Sequence, residues 1–294
     1  VFGTPYAPAD DPYLQRGVVT GVDNQGWTRV QFGRSYNSMV VIASANYDDS
    51  SVPLVVRIDN AEGDHFDIRV DRADASTAAI TGIDVHYMVV EEGVYNEVDH
   101  GVNMEAFKFT SSVTDEDDSW VGEPRSYANA YTNPVVLGQV MSYNDLNWST
   151  FWSRGSTAAD PPSADPPPSG VLYVGKNAGE DPVPTRAAET IGYIVIEAGS
   201  GTMSGLDYVA AVGDDSVGGV DDGPPYPYPI SGLATVSAGI VSQTAMDGGN
   251  GGWAILYGDS PVTTATLNMA IDEDRLMDPE RNHTAEQVAY IVFE

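Results

Sequence analysis

The chain has 294 residues, of which 42% are hydrophobic, and 43 acidic residues outnumber 13 lysines and arginines to give a formal charge of −30 at pH 7. Such a surface repels nucleic acid and anionic lipid, so neither is an expected partner, while the apolar share suffices for packed cores and excludes a disordered chain. Cysteine is absent, which rules out disulfides and thiolate chemistry, and no segment approaches the roughly 20 apolar residues of a membrane helix.

The chain opens with "VFGTPYAPADDPYLQRG", residues 1–17. Pro5, Pro8 and Pro12 fix φ and remove donors, so this reads as an extended N-terminal arm. Its Phe2, Tyr6, Tyr13 and Leu14 are the candidate assembly residues, because an extended apolar strand can add to a sheet edge of its own chain or of another copy. Short runs rich in β-branched and aromatic residues follow: "MVVIAS" 39–44, "LVVRI" 54–58, "FDIRV" 66–70, "AFKFT" 106–110, "PVVLGQV" 134–140, "VLYVG" 171–175, "YVAAVG" 208–213, "ATVSAGIV" 234–241, "WAILYG" 253–258 and "ATLNMA" 265–270. Several alternate apolar with polar, the period of a half-buried strand, and Gly, Asn, Asp and Pro punctuate them. No helical stripe with caps reaches ten residues. The expected fold class is all-β.

One line is written three times: "VHYMVVEEG" 85–93, "IGYIVIEAG" 191–199 and "VAYIVFE" 288–294. Its tyrosines, Tyr87, Tyr193 and Tyr290, recur at intervals of about 100 residues, the size of a small β-sandwich and too long for a solenoid repeat. Both faces of this line are apolar, so it reads as a central strand buried on two sides, with the closing glutamate at its solvent end and structural rather than catalytic. The division expected is an arm at 1–17, a first sandwich at 18–98, a second at 99–203 with a Pro-rich insertion at 156–170, and a third at 204–294.

Within each unit the order is an aromatic lead-in, a β-run, a polar loop, a second β-run, an acidic bend and the closing strand. Residues 27–93 show it best. This order resembles the H-type lectin domain, a six-stranded antiparallel β-sandwich known from carbohydrate-binding agglutinins. The resemblance implies tandem antiparallel sandwiches and, through the family, sugar binding. The family's closing strand often centres on tryptophan, and here tyrosine holds that place.

Chemistry-bearing motifs are few. His65, His86, His100 and His283 lack metal-ligand spacing, and neither a nucleophile elbow nor a phosphate loop is present. For carbohydrate, "SYNDLNWSTFWSRG" 142–155 gathers Tyr143, Asp145, Trp148, Trp152 and Arg154, since sugars stack on aromatic rings while polar groups take their hydroxyls. For calcium, the candidate cofactor, "DEDD" offers hard oxygens from Asp115, Asp117 and Asp118 without an EF-hand pattern. Asn147 in "NWS" and Asn282 in "NHT" fit the glycan acceptor rule. The function expected is a non-enzymatic extracellular or cell-surface structural and adhesive protein in a saline setting. It would pack with copies of itself into a filament, sheath or surface layer. A carbohydrate-binding lectin is the alternative, and a secreted glycan-acting enzyme ranks last.

Overall fold

The computed structural model describes residues 11–156 and 163–294, and it is all-β apart from one turn of α-helix and one of 3₁₀-helix. The first six strands are β1 (Gln15–Val22), β2 (Thr28–Gln31), β3 (Met39–Tyr47), β4 (Leu54–Glu62), β5 (His65–Arg72) and β6 (Ile83–Glu91). They pair in the orders β1-β6-β3 and β2-β5-β4, all antiparallel. Next come β7 (Gly93–Tyr95), the helical turn α1 (Glu97–His100), β8 (Met104–Ser111), β9 (Glu123–Arg125), β10 (Pro134–Val140), β11 (Thr150–Arg154), β12 (Leu172–Asn177) and β13 (Glu189–Glu197). Here the orders are β8-β13-β10 and β9-β12-β11. The last group is β14 (Gly199–Met203), β15 (Leu206–Val212), β16 (Tyr226–Pro229), β17 (Ala238–Gln243), β18 (Trp253–Tyr257), β19 (Thr266–Asp272) and β20 (Val288–Phe293), ordered β15-β20-β17 and β16-β19-β18. One strand order therefore occurs three times. Gln15–Gly17, at the end of the expected arm, belong to β1.

The thrice-written line forms β6, β13 and β20, each lying between the first and third strands of its own unit. Its two apolar faces have separate destinations. Ile191, Tyr193 and Val195 of β13 join Phe151, Leu172 and Val174 inside the second sandwich, and Val288, Tyr290 and Val292 of β20 join Tyr228, Leu256 and Leu267 inside the third. The opposite faces, Ile194 and Ile196 with Ala289, Ile291 and Phe293, fill one core together with the residues of the first sandwich. The period of two thus sorts side chains between a private core and a shared one.

The shared core surrounds a pseudo-threefold axis. The third strands β3, β10 and β17 all touch one another. In cyclic order β3 lies on β18, β17 on β11 and β10 on β4, while β6 lies on β17, β20 on β10 and β13 on β3. Only the first of these contacts becomes a ladder: β3 and β18 pair in parallel through Asn46 with Leu256 and Tyr47 with Tyr257, fusing two sheets into one of six strands. Two hydrogen bonds repeat around the axis. Ser44 Oγ accepts from Val241 N at 2.9 Å, and Ser242 Oγ accepts from Gly138 N at 3.2 Å. At Gly138 a β-carbon would stand 2.3 Å from the Phe151 ring, so only glycine lets β10 approach this closely. A neutral cavity of about 50 Å³ lies on the axis, bordered by Gln243 and Thr150. Among the described residues the amide atoms of Gln243 and the hydroxyl of Thr150 have no protein partner, and that volume suits on the order of three or four waters.

The closing glutamates cap turns. Glu91 accepts from Asn37 N at 2.9 Å and Ser38 N at 2.6 Å, and Glu197 accepts from Thr132 N and Asn133 N, each at 2.8 Å. Glu294 takes the Thr235 hydroxyl instead. A carboxylate satisfies two peptide N–H groups at once at the entrance to the third strand, which explains why the line ends in glutamate.

Candidate functional site

The segment 142–155 does not converge on one site. Its first half forms the loop between β10 and β11, which leans over the first sandwich. Tyr143 stacks on the Arg57 guanidinium, 4.4 Å from the ring centre, and meets Trp27 edge-on at 5.1 Å. Asp145 organises the loop: its carboxylate accepts from Asn147 N at 2.9 Å and Ala187 N at 2.6 Å, and its carbonyl accepts from Arg57 Nη2 at 2.9 Å. Burial alone would raise the Asp145 carboxyl, but those two N–H donors and nearby arginines hold it below its ordinary range. Trp148 is buried against Trp253, with ring centres 5.4 Å apart. Trp152 is fully buried with Trp120 and Met246, and Arg154 donates to the Trp120 and Gly155 carbonyls beneath Tyr173. Both tryptophans anchor packing: Trp152 is sealed, and Trp148 is buried but borders a groove beside Tyr143. That groove, of about 570 Å³, is lined by the first two sandwiches and Leu276 of the third, with Arg69, Arg72, Asp71, Asp74, Tyr143 and Asn147 at its edges.

Of the acidic run 115–118 only Asp115 turns inward, while Glu116, Asp117 and Asp118 are exposed. Asp115 is buried, accepts from Val121 N and, at 2.8 Å, from Asn177 Nδ2. Burial raises it to about 6 against those donors. The Asp117 and Asp118 peptide groups donate to the Gly179 and Gly249 carbonyls. Among the described residues no three His, Cys, Asp or Glu side chains are placed to share a metal ion. Glu180 still feels a crowd: burial first, then Asp278, Asp274, Glu273 and Asp117, raise it to about 7. Asn147 and Asn282 are both exposed.

A buried charge cluster has no counterpart in the sequence reading. His283 stands between Glu273, 2.9 Å from Nδ1, and Glu286, 3.1 Å from Nε2, with all three sealed from solvent. Burial alone would lower the imidazole, but hydrogen bonds and charge from both glutamates raise it to about 9, so both ring nitrogens donate at neutral pH. Asn250 braces Glu273 at 2.7 Å. Nearby, Arg281 holds Asp272 in two bonds of 2.6 and 2.7 Å while Tyr47 of the first sandwich donates to the same carboxylate at 2.5 Å. These groups lock a junction between the first and third sandwiches. Their spacing, 272–273, 281–283 and 286, gives no motif because the loop before β20 brings them together.

The first strands carry a different kind of site. In the second and third sandwiches an added antiparallel strand covers the start of the first strand: β7 pairs with Met104–Ala106 of β8, and β14 pairs with Leu206–Ala210 of β15. Both added strands leave directly from the preceding closing strand. Gly93, two residues beyond Glu91, pairs with Ala106; Gly199, two residues beyond Glu197, pairs with Ala210. The equivalent position in β1 is Arg16, since Arg16, Ala106 and Ala210 each face the residue after the repeated tyrosine. Arg16 donates to the Glu294 carbonyl, at 2.5 Å from Nη2, so the end of β20 reaches this same corner. Among the described residues no strand covers β1, which stays the edge of the six-stranded sheet with Val18 exposed. Of the arm residues, Leu14 is buried and Leu14 N donates to Ser204 Oγ at 2.9 Å, Tyr13 lies under Arg34, and Glu91 N donates to the Pro12 carbonyl at 2.8 Å. Phe2 and Tyr6 lie outside the described residues. Comparison with known protein families, with curated proteins and with solved structures finds no match for this chain.

Proposed function

We propose that the protein is a non-enzymatic structural subunit, working outside the cell or at its surface, that assembles with copies of itself. The observation that carries this reading is the edge of β1, which no strand among the described residues covers and which carries the exposed Val18. An uncovered ladder of N–H and C=O groups is a template for another strand, and natural sheets seldom leave one unprotected. β1 contains Arg16 and no acidic residue, so in a chain of formal charge −30 it is a place where another copy meets little repulsion. The pseudo-threefold body suits a building block, because its shared core makes three sandwiches one unit.

The test is light scattering and electron microscopy of the purified chain across salt and divalent-cation concentrations. Ordered polymers that grow once charge is screened support the reading, and a monomer at every condition contradicts it. A second reading, glycan adhesion, is supported by the groove at Tyr143, where an aromatic ring sits among arginine, aspartate and asparagine side chains. Glycan-array binding that disappears in Tyr143→Ala is its expected signature, and no binding by the intact chain overturns it.

A further inference from the structure

We infer that the pseudo-threefold axis carries a binding site for water, where a cluster on the order of three or four molecules closes a ring of hydrogen bonds and joins the three sandwiches. The site lies within a single copy and does not depend on assembly between copies.

The ring follows from the register. Ala43, Gly138 and Val241 face the repeated tyrosines Tyr87, Tyr193 and Tyr290, so the residues after them, Ser44, Gln139 and Ser242, are equivalent. Two of these three bond the next strand around the axis: Ser44 Oγ accepts from Val241 N, and Ser242 Oγ accepts from Gly138 N. The third bond would run from Ala43 N to residue 139. Gln139 turns its longer side chain elsewhere, and its amide nitrogen donates to the Val56 carbonyl at 3.1 Å. Among the described residues no side chain accepts from Ala43 N. The cavity of about 50 Å³ lies at this break in the ring, bordered by Ala43, Ser44, Gln139 and Ser242.

Two further side chains are placed for a polar occupant. One step along the same strands, Ala45, Val140 and Gln243 are equivalent. Two sandwiches fill that position with an apolar side chain, and the third puts a glutamine there. Gln243 is 1% exposed and borders the cavity, and among the described residues neither its amide oxygen nor its amide nitrogen has a protein partner. Thr150 of the second sandwich borders the same cavity at 6% exposure, and its hydroxyl is unpartnered in the same sense. An amide and a hydroxyl withdrawn from solvent give up their hydrogen bonds with water, a cost that Ala45 and Val140 avoid. Water on the axis restores those bonds.

The chemistry selects the occupant. Gln243 needs both a donor and an acceptor opposite it, and the Thr150 hydroxyl serves as either. Among the described residues no charged side chain borders the cavity, so an ion meets no counter-charge there. Water is neutral, both donates and accepts, and makes about three hydrogen bonds when buried. It can therefore bridge Thr150 of the second sandwich, Gln243 of the third and the strand of Ala43 in the first. The site adds a polar joint to a shared core that is otherwise apolar.

A crystal structure of the intact chain should show on the order of three or four ordered waters on the axis, within hydrogen-bond distance of Gln243 and Thr150. Crystals pressurised with xenon should hold none there, since xenon enters dry apolar cavities. Xenon on the axis, no density beside Gln243, or density that fits only an organic additive overturns the inference. In solution, Thr150→Val and Gln243→Leu should each lower the melting temperature. The double variant should lose less than the sum, because each single change leaves the water and the other side chain short of a partner. Losses that add to within about 2 °C would mean that the two side chains share no water, and would overturn the bridge.

Discussion

Replacing Ile291 with alanine should weaken the whole molecule, not one third of it. Ile291 is fully buried on the face of β20 that enters the shared core, paired across the ladder with Ala210 and Ile240. Its loss forfeits the burial of that side chain and leaves a space that β10, fixed in its own sandwich, cannot close. Ile-to-Ala changes in such cores cost about 2–5 kcal/mol, which for a chain of this size lowers the melting temperature on the order of 5–10 °C. Differential scanning calorimetry, with tryptophan fluorescence reporting the Trp148–Trp253 contact between sandwiches, reads both the shift and its extent. The full unfolding enthalpy should move together as one transition. If the peak splits, so that only about a third of the enthalpy moves, the sandwiches are independent and the shared core is refuted.

Glu91→Ala should cost about 2–5 kcal/mol by urea denaturation, because two peptide N–H groups at a fully buried carboxylate lose their acceptor; a loss below 1 kcal/mol would deny the capping role. Stability should fall as pH rises from 5 to 8. Asp115 and Asp274 are raised to about 6, and Glu180 and Glu273 to about 7, chiefly by burial, so each contributes stability below its unfolded value near 4 that is lost as pH climbs through 6–7. His283 follows the same sign, stabilising fully below about 6.5 and losing that contribution as pH rises through about 9, so equal or greater stability at pH 8 than at pH 5 contradicts the cluster. Assembly should strengthen between 0.01 and 0.15 M salt, as the screening length shrinks from about 30 to 8 Å, and insensitivity to salt would remove charge from its control.

Much of the fold was legible because strand patterning is local. "IGYIVIE" declares a two-faced strand by its alternation alone, and the structure shows what each face meets. The terminal glutamate read as structural, and its peptide partners supply the reason. Other features depend on contacts between distant segments and leave no periodic trace. The β3–β18 ladder rests on two residue pairs separated by more than half the chain. Trp148 and Trp152 look alike in sequence, yet β11 turns Trp152 into a cluster with Trp120 while the loop carries Trp148 to Trp253. Tyr143 keeps a place at the groove because it precedes β11 and stacks on Arg57 of another sandwich. The Glu273–His283–Glu286 cluster needed the loop before β20 to exist.

Electron cryomicroscopy of the purified chain under charge-screening conditions tests the structural reading most directly. Ordered polymers in which the β1 edge meets another copy are predicted. Particles that stay monomeric at every salt and divalent-cation concentration, or polymers in which the β1 edge stays bare, would contradict it.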